Sequence, residues 1–256
     1  MQLIDSHCHF DLPVFDADRA QVLERARAAG VARIVVPAIA AAGWPRLRAV
    51  CHQHPGLHPA YGLHPMFLDQ HREDDLALLR TWIETERPCA VGECGLDFFV
   101  DGLDAERQRH FFRAQLQLAR EHDLPVIVHA RKAVEETIVT IRRIGGLRGV
   151  VHSFSGSPEQ ARQLADNGFL VSLGGPLTYE RANRLRRLVA SIPLDMLMLE
   201  TDAPDQPDAG IAGQRNEPAR LLAIAQAVAA LRGQPVEEIA AATSANARRL
   251  FGLPAD

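Results

Sequence analysis

The sequence predicts an α/β protein, a (β/α)8 TIM barrel with an extra helix after the last β/α unit. Short apolar runs alternate with longer amphipathic stretches at a steady period along the chain. Eight such runs fit into 256 residues, the usual size of a barrel. From position 125 onward the runs are continuously apolar rather than alternating, as in parallel strands covered by helices. A doubly wound open sheet shares this periodicity and is the alternative.

The first strand is Ile4-Asp5-Ser6-His7-Cys8-His9-Phe10. A helix over Asp16 to Ala29 has Ala20, Leu23 and Ala26 at helical spacing and stops at Gly30, before the strand Arg33 to Pro37. The spacing then predicts a helix over Trp44 to His54, a strand over Leu57 to Gly62, a helix over Asp74 to Glu86 and a strand over Cys89 to Glu93. A long helix from Glu106 to His122 leads to the strand Pro125 to His129, and a helix from Val134 to Ile144 to the strand Gly149 to His152. Glu159 to Asn167, the strand Phe169 to Leu173, a helix from Tyr179 to Ala190 and the strand Met196 to Glu200 complete eight units. Two helices follow, Glu217 to Leu231 and Val236 to Leu250, the second expected in the barrel's outer ring. No long polar linker interrupts this order, so residues 1–256 are expected to form one domain.

Composition narrows the function. With 47% hydrophobic residues the chain can bury an ordinary core. A net charge of −4 and a pI near 6.3 argue against a surface coated in basic residues, so a phosphate-bearing substrate must be drawn in by a local site. The cysteines at 8, 51, 89 and 94 form no Cys-x-x-Cys pair and no secreted disulfide spacing, which suits a reducing compartment. No charged segment followed by an apolar run opens the chain, and no apolar stretch has membrane-spanning length. The expectation is a soluble cytoplasmic protein with no membrane association and no obligate protein partner.

Ionisable residues gather where such barrels build active sites. On a strand, His7 and His9 share a face and Cys8 points the other way. A lone His-x-His is a weak signal, but Glu93, His129, His152 and Asp202 also sit at or just past predicted strand ends, the fourth, fifth, sixth and eighth. In a parallel barrel these ends meet at one rim. Four histidines and two carboxylates exceed the needs of one ion and suit two divalent ions sharing a bridging carboxylate. Imidazole and carboxylate without thiolate suit Zn²⁺, Mn²⁺ or Mg²⁺, the histidine count tilting the balance toward the transition metals.

The segments DSHCHFD, GLHPM, GECGLDFF, PVIVHARK, GVVHSFSGS and ETDAPDQP, in this order, resemble the TatD family of metal-dependent hydrolases and deoxyribonucleases. GQRNEPA and ANARRLFGL extend the resemblance to the C-terminal region. It implies an amidohydrolase-superfamily barrel in which His7, His9 and Asp202 hold one ion, His129 and His152 hold another, and Glu93 bridges both. Related amidohydrolases often use a carboxylated lysine as the bridge, and Glu93 points to the TatD branch. Cys94, Ser153 and Met66 stand where the family often has isoleucine, cysteine and a second histidine; none of them is a predicted ligand.

Asp202 is the candidate to orient a water and take its proton, or else a purely structural ligand. His64, in Gly-Leu-His-Pro, is a candidate phosphate contact or leaving-group donor, against a plain turn-capping role. Arg131 is a candidate phosphate ligand with bidentate geometry, against an ion pair with Asp97 or Glu200. Glu200 shares a face with Asp202 and is placed to orient a ligand from deeper in the barrel. Cys8, Cys89 and Cys94 are read as small buried hydrophobes, and Arg181, Arg184, Arg186 and Arg187 as one solvated helix face, with nucleic-acid contact the alternative. His52, His54, His58, His71, His110 and His122 are given no role. The loop Ala203 to Asn216 overhangs the rim.

The resemblance implies a 3′-to-5′ exonuclease on single-stranded DNA. Two other readings stand beside it: an ester or amide hydrolase, such as a D-aminoacyl-tRNA deacylase, and a non-catalytic binding protein, which the intact ligand set disfavours.

Overall fold

The computed structural model describes residues 1–254. Among these, eight strands form one sheet, in the order in which they occur: β1 (Leu3–Asp5), β2 (Val31–Pro37), β3 (Leu57–Tyr61), β4 (Ala90–Asp97), β5 (Val126–Arg131), β6 (Gly149–Val151), β7 (Phe169–Leu173) and β8 (Leu197–Leu199). Every neighbouring pair is parallel. The seam between β8 and β1 is bonded just beyond the strands, where Ser6 N donates to Leu199 O (3.0 Å) and Asp202 N to His7 O (2.9 Å). The open doubly wound sheet is thereby excluded, and the fold is the expected TIM barrel.

Seven helices alternate with the strands: α1 (Arg19–Ala28), α2 (Trp44–Gln53), α3 (Asp74–Glu86), α4 (Ala105–Glu121), α5 (Val134–Ile144), α6 (Pro158–Ala165) and α7 (Asn183–Ser191). Two more, α8 (Leu221–Arg232) and α9 (Val236–Phe251), follow β8. None of the described helices is long and apolar enough to cross a membrane.

Strand alternation sorts the core into two parts. Outward residues such as Ile34, Val91, Val128, Val151 and Val171 pack against the helices. Ile4, Val35, Ala60, Ala90, Ile127, Val150 and Met198, one from nearly every strand, form a separate inner cluster with Ala247, Leu250 and Phe251 of α9. Helix α9 therefore does not join the outer ring as expected; it packs under the N-terminal end of the barrel. The phenyl group of Phe251 is buried in this inner cluster with the short side chains of Ala60 and Ala90, contributing roughly 2–3 kcal/mol. Ser244 of α9 adds a bond to the first strand, Ile4 N to Ser244 Oγ (3.1 Å).

Other boundaries move for local reasons. Residues 179–182 form a bend and a turn, and Pro218–Arg220 a short 3-10 turn, so α7 and α8 begin several residues later than their periodicity suggests. Arg184, Arg186 and Arg187 lie on α7, whereas Arg181 precedes it and stacks over Tyr179.

Candidate metal centre

The rim collects the six residues, by three different routes. Inward alternation carries Ile127 to His129, Val150 to His152, and Met198 through Glu200 to Asp202. β1 is shorter than expected and ends at Asp5, so His7 and His9 lie on a bent segment beyond the strand. They still converge, with Nε2 atoms 3.3 Å apart, because Cys8 N remains bonded to Val35 O and the Cys8 side chain is buried in the outer core.

Glu93 arrives by an irregularity. It lies in the middle of β4, not at its end, and plain alternation from Ala90 would turn it outward. Between Val91↔Val126 and Cys94↔Val128, β4 spends three residues against two of β5, and this extra residue turns Glu93 inward. Gly95, opposite His129 in that register, has φ +147°, and a Cβ there would sit 2.0 Å from His129 O.

Glu93 is fully buried and surrounded by imidazoles. Its Oε1 lies 2.7 Å from His152 Nε2, 2.9 Å from His64 Nε2 and 3.0 Å from His129 Nδ1, and its Oε2 lies 3.1 Å from His7 Nε2 and 3.5 Å from His9 Nε2. Asp202 Oδ1 is 3.5 Å from His7 Nε2 and 3.7 Å from His9 Nε2. His7 also stacks on His152, their ring centroids 3.9 Å apart. Three triads have donor atoms close enough for one ion each: His7, His9 and Asp202; His7, Glu93 and His152; and His64, Glu93 and His129.

The surrounding bonds fix which nitrogen faces inward. His9 Nδ1 faces the carbonyl of Pro37 (3.2 Å), which can only accept, so Nδ1 carries the proton and Nε2 presents a lone pair. His129 Nε2 donates to Asp97 Oδ2 (2.8 Å), leaving Nδ1 toward Glu93 and 3.3 Å from His152 Nε2. Lone pairs aimed at a carboxylate and at one another repel unless a cation or additional protons lie between them. Burial opposes charge on His152, but Glu93 and Glu200 outweigh it and its pKa rises well above the usual imidazole value. For His129, Asp97 and Glu93 likewise outweigh burial. Burial raises Glu93, yet His152, His64 and His7 together hold it well below the ordinary carboxylate range. This anion ringed by nitrogen donors fits divalent cations, which would take the place of those protons.

Glu200 is buried below His152, 3.7 Å from its Nδ1, and accepts from Ser153 N (2.7 Å) and Ser172 Oγ. His64 combines both readings: its Nδ1 accepts from Met66 N (3.1 Å) while Nε2 faces Glu93. Burial pushes its pKa down to about 4, so the imidazole is neutral and its one ring proton is at Nε2. His71, given no role from sequence, donates from Nε2 to His64 O (2.8 Å) and holds that turn. Arg131 forms neither expected ion pair; its guanidinium lies 3.7 Å over the Phe99 ring, and Asp97 is bonded to His129. The loop 203–216 is tied down: Asn216 Nδ2 donates to Thr201 O and Asp205 O (both 2.8 Å), and Arg220 pairs with Asp208.

Sequence reasoning missed two neighbours of the cluster. Asp97 was read only as a partner for Arg131; extending β4 past Glu93, with Leu96 outward and Asp97 inward, was the available signal. Gln206, which donates to Asp202 Oδ2 and exchanges a bond with Ser153 Oγ, carries no such signal because it sits in an irregular loop. A cavity of about 870 Å³ opens above the cluster, lined on its apolar side by Leu12, Ile39, Met66, Phe67, Pro176 and Leu185 and on its polar side by the cluster, Arg131 and Asp205.

A TIM barrel with four histidines, a glutamate and an aspartate joined at its C-terminal rim defines a metal-dependent hydrolase. Residues 4–252 match the family model described as TatD related DNase. The chain belongs to the TatD family. It is 42% identical over 257 residues to the uncharacterized metal-dependent hydrolase YjjV of Escherichia coli (strain K12), covering 99% of each chain. It is 38% identical over 251 residues to the 3′-5′ ssDNA/RNA exonuclease TatD of Erwinia tasmaniensis, covering 93% of this chain and 95% of that one. The crystal structure of YjjV, a TatD homolog from Escherichia coli K12, superposes with a TM-score of 0.94 at 41% identity over 98% of both chains.

Proposed function

We propose that the rim holds two divalent ions, of Zn²⁺, Mn²⁺ or Mg²⁺, and that the protein, acting as one hydrolase domain over residues 1–256, shortens single-stranded DNA from its 3′ end. In this reading His7, His9 and Asp202 hold one ion, His129 and His152 hold the other, and Glu93 bridges them. Such ions, when bound, supply Lewis acidity toward a phosphodiester and lower the pKa of water.

The chain's own residues do the rest. Asp202, steadied by Gln206, orients the attacking water and accepts its proton. Neutral His64 has its Nδ1 committed to Met66, so it serves as a hydrogen-bond donor at Nε2, holding Glu93 or a substrate oxygen. Arg131, at the cavity lip, faces the phosphate of an incoming strand. Helix α7, whose Leu185 lines the cavity, carries three further arginines. The observation that carries the reading is Glu93, whose one oxygen Oε1 lies within 3.0 Å of three histidines. The 38% identity to a chain named as a 3′-5′ ssDNA/RNA exonuclease supports the choice of substrate.

The test is hydrolysis of a labelled single-stranded oligonucleotide by chelator-stripped protein with Zn²⁺, Mn²⁺ or Mg²⁺ restored, beside Asp202→Asn. Metal-dependent shortening from the 3′ end, lost in the variant, is expected. Protein that binds two ions yet shortens no strand with any metal would redirect the site to esters or amides, such as a D-aminoacyl-tRNA ester.

A further inference from the structure

Among the described residues the large hydrophobic side chains left exposed are Met1, Val14, Leu78 and Phe99, and Phe99 is the aromatic one, 52% exposed. A single exposed hydrophobic side chain needs no explanation by itself; Phe99 is singled out by the guanidinium stacked on it from the edge of the cavity. Phe99 lies two residues past β4. Arg131, the last residue of the neighbouring β5, places its guanidinium 3.7 Å from the ring centroid and also lines the cavity above the cluster.

This pair is fixed rather than loosely solvated. Phe99 N and Val100 N both donate to Asp97 Oδ1 (2.9 and 3.1 Å), and Phe98 N donates to Arg131 O (2.9 Å). The other oxygen of the same Asp97 carboxylate accepts from His129. The Phe99 main chain is thus tied to the candidate metal centre through two hydrogen bonds on one carboxylate. With its Cζ 3.7 Å from the centroid, the Arg131 guanidinium lies over one face of the ring, while Phe99 is still 52% exposed.

We propose that Phe99 and Arg131 form a nucleotide subsite at the cavity lip, in which a base near the 3′ end of the strand stacks on the face of the Phe99 ring opposite Arg131 while Arg131 donates to a phosphate of the same strand. A flat aromatic surface accepts any base, so the subsite confers strand binding without sequence preference. The inference rests on the nuclease reading and names where the strand sits.

The test compares two single-stranded oligonucleotides, one with all bases and one abasic at its last two 3′ positions, with wild-type protein, Phe99→Ala, Phe99→Trp and Arg131→Lys. Melting temperature and bound metal of each variant serve as controls for folding. On the all-base strand Phe99→Ala is expected to raise KM about 5- to 100-fold, and Phe99→Trp to restore it. On the abasic strand wild type and Phe99→Ala should converge. Arg131→Lys should raise KM on both strands, because it removes the bidentate phosphate contact. An unchanged KM for Phe99→Ala on the all-base strand, or an equal loss on both strands, would overturn the subsite while leaving the nuclease reading intact. Wild-type protein that cleaves neither strand with any metal would overturn the nuclease reading and the subsite with it.

Discussion

Asp97 Oδ2 lies 2.8 Å from His129 Nε2, and this bond sets which nitrogen of His129 faces Glu93. Burial raises the Asp97 carboxyl, but its bonds to His129 and to the N–H groups of Phe99 and Val100 bring it down to about 2, so it is an anion and accepts only. His129 must then hold a proton on Nε2 and offer Nδ1 inward.

Asp97→Asn separates these duties. The amide oxygen keeps the two backbone N–H groups, and the amide nitrogen then points at His129 Nε2 as a donor. His129 is expected to switch tautomer, protonating the nitrogen that faces Glu93. Metal affinity or turnover should fall about 10- to 100-fold. Metal analysis and the ¹⁵N shifts of the His129 ring check the switch; an unchanged tautomer with lower activity would refute this role.

Gly95→Ala probes the bulged strand. A Cβ at a backbone φ of +147° and 2.0 Å from His129 O forces β4 and β5 apart, at a cost of about 1–3 kcal/mol. Denaturant unfolding should show that loss together with reduced metal binding, since the same displacement moves His129. Wild-type stability would contradict the close approach.

How much of this was legible in the sequence follows from the same residues. Apolar runs ending in histidine or a carboxylate placed His129, His152 and Asp202, because plain alternation carries a side chain from the core to the rim. The same rule picks out Glu93 at the end of a strand Cys89 to Glu93, but not for the reason that brings it inward: the extra residue that turns it is a matter of register against β5. Asp97 was hidden by the same strand, whose end was set four residues too early. The position of α9 was not legible either, since an amphipathic helix reads alike whether it covers the side of a barrel or its floor.

Metal binding should weaken as pH falls. His129 and His152 have raised pKa values without a cation, so below that range protons occupy the nitrogens that ions need. Calorimetric titration with Mn²⁺ or Zn²⁺ at pH 8 and pH 6 is expected to show weaker binding at pH 6 and protons released on binding. Equal affinities at both would count against these histidines as ligands.

The rim loop has its own pH dependence. Burial pushes the Asp208 carboxyl up, but the Arg220 guanidinium and the N–H of Gly210 hold it below its ordinary value of 3.8. A depressed folded-state pKa contributes stability that is present above the unfolded value and lost as pH falls through the folded one. Asp208→Asn should therefore lower stability by about 1 kcal/mol or more near pH 7, the gap to wild type closing below pH 4. A gap that stays constant from pH 7 to pH 3 would assign the loss to packing instead.

The central claim is that Glu93 bridges two ions, and the most direct measurement of it is the metal content of Glu93→Ala beside wild type after both are reloaded and dialysed, with oligonucleotide turnover recorded on the same samples. The account predicts two ions per wild-type chain, fewer than two in the variant, and no turnover by the variant. A Glu93→Ala protein that keeps two ions and full activity would contradict it.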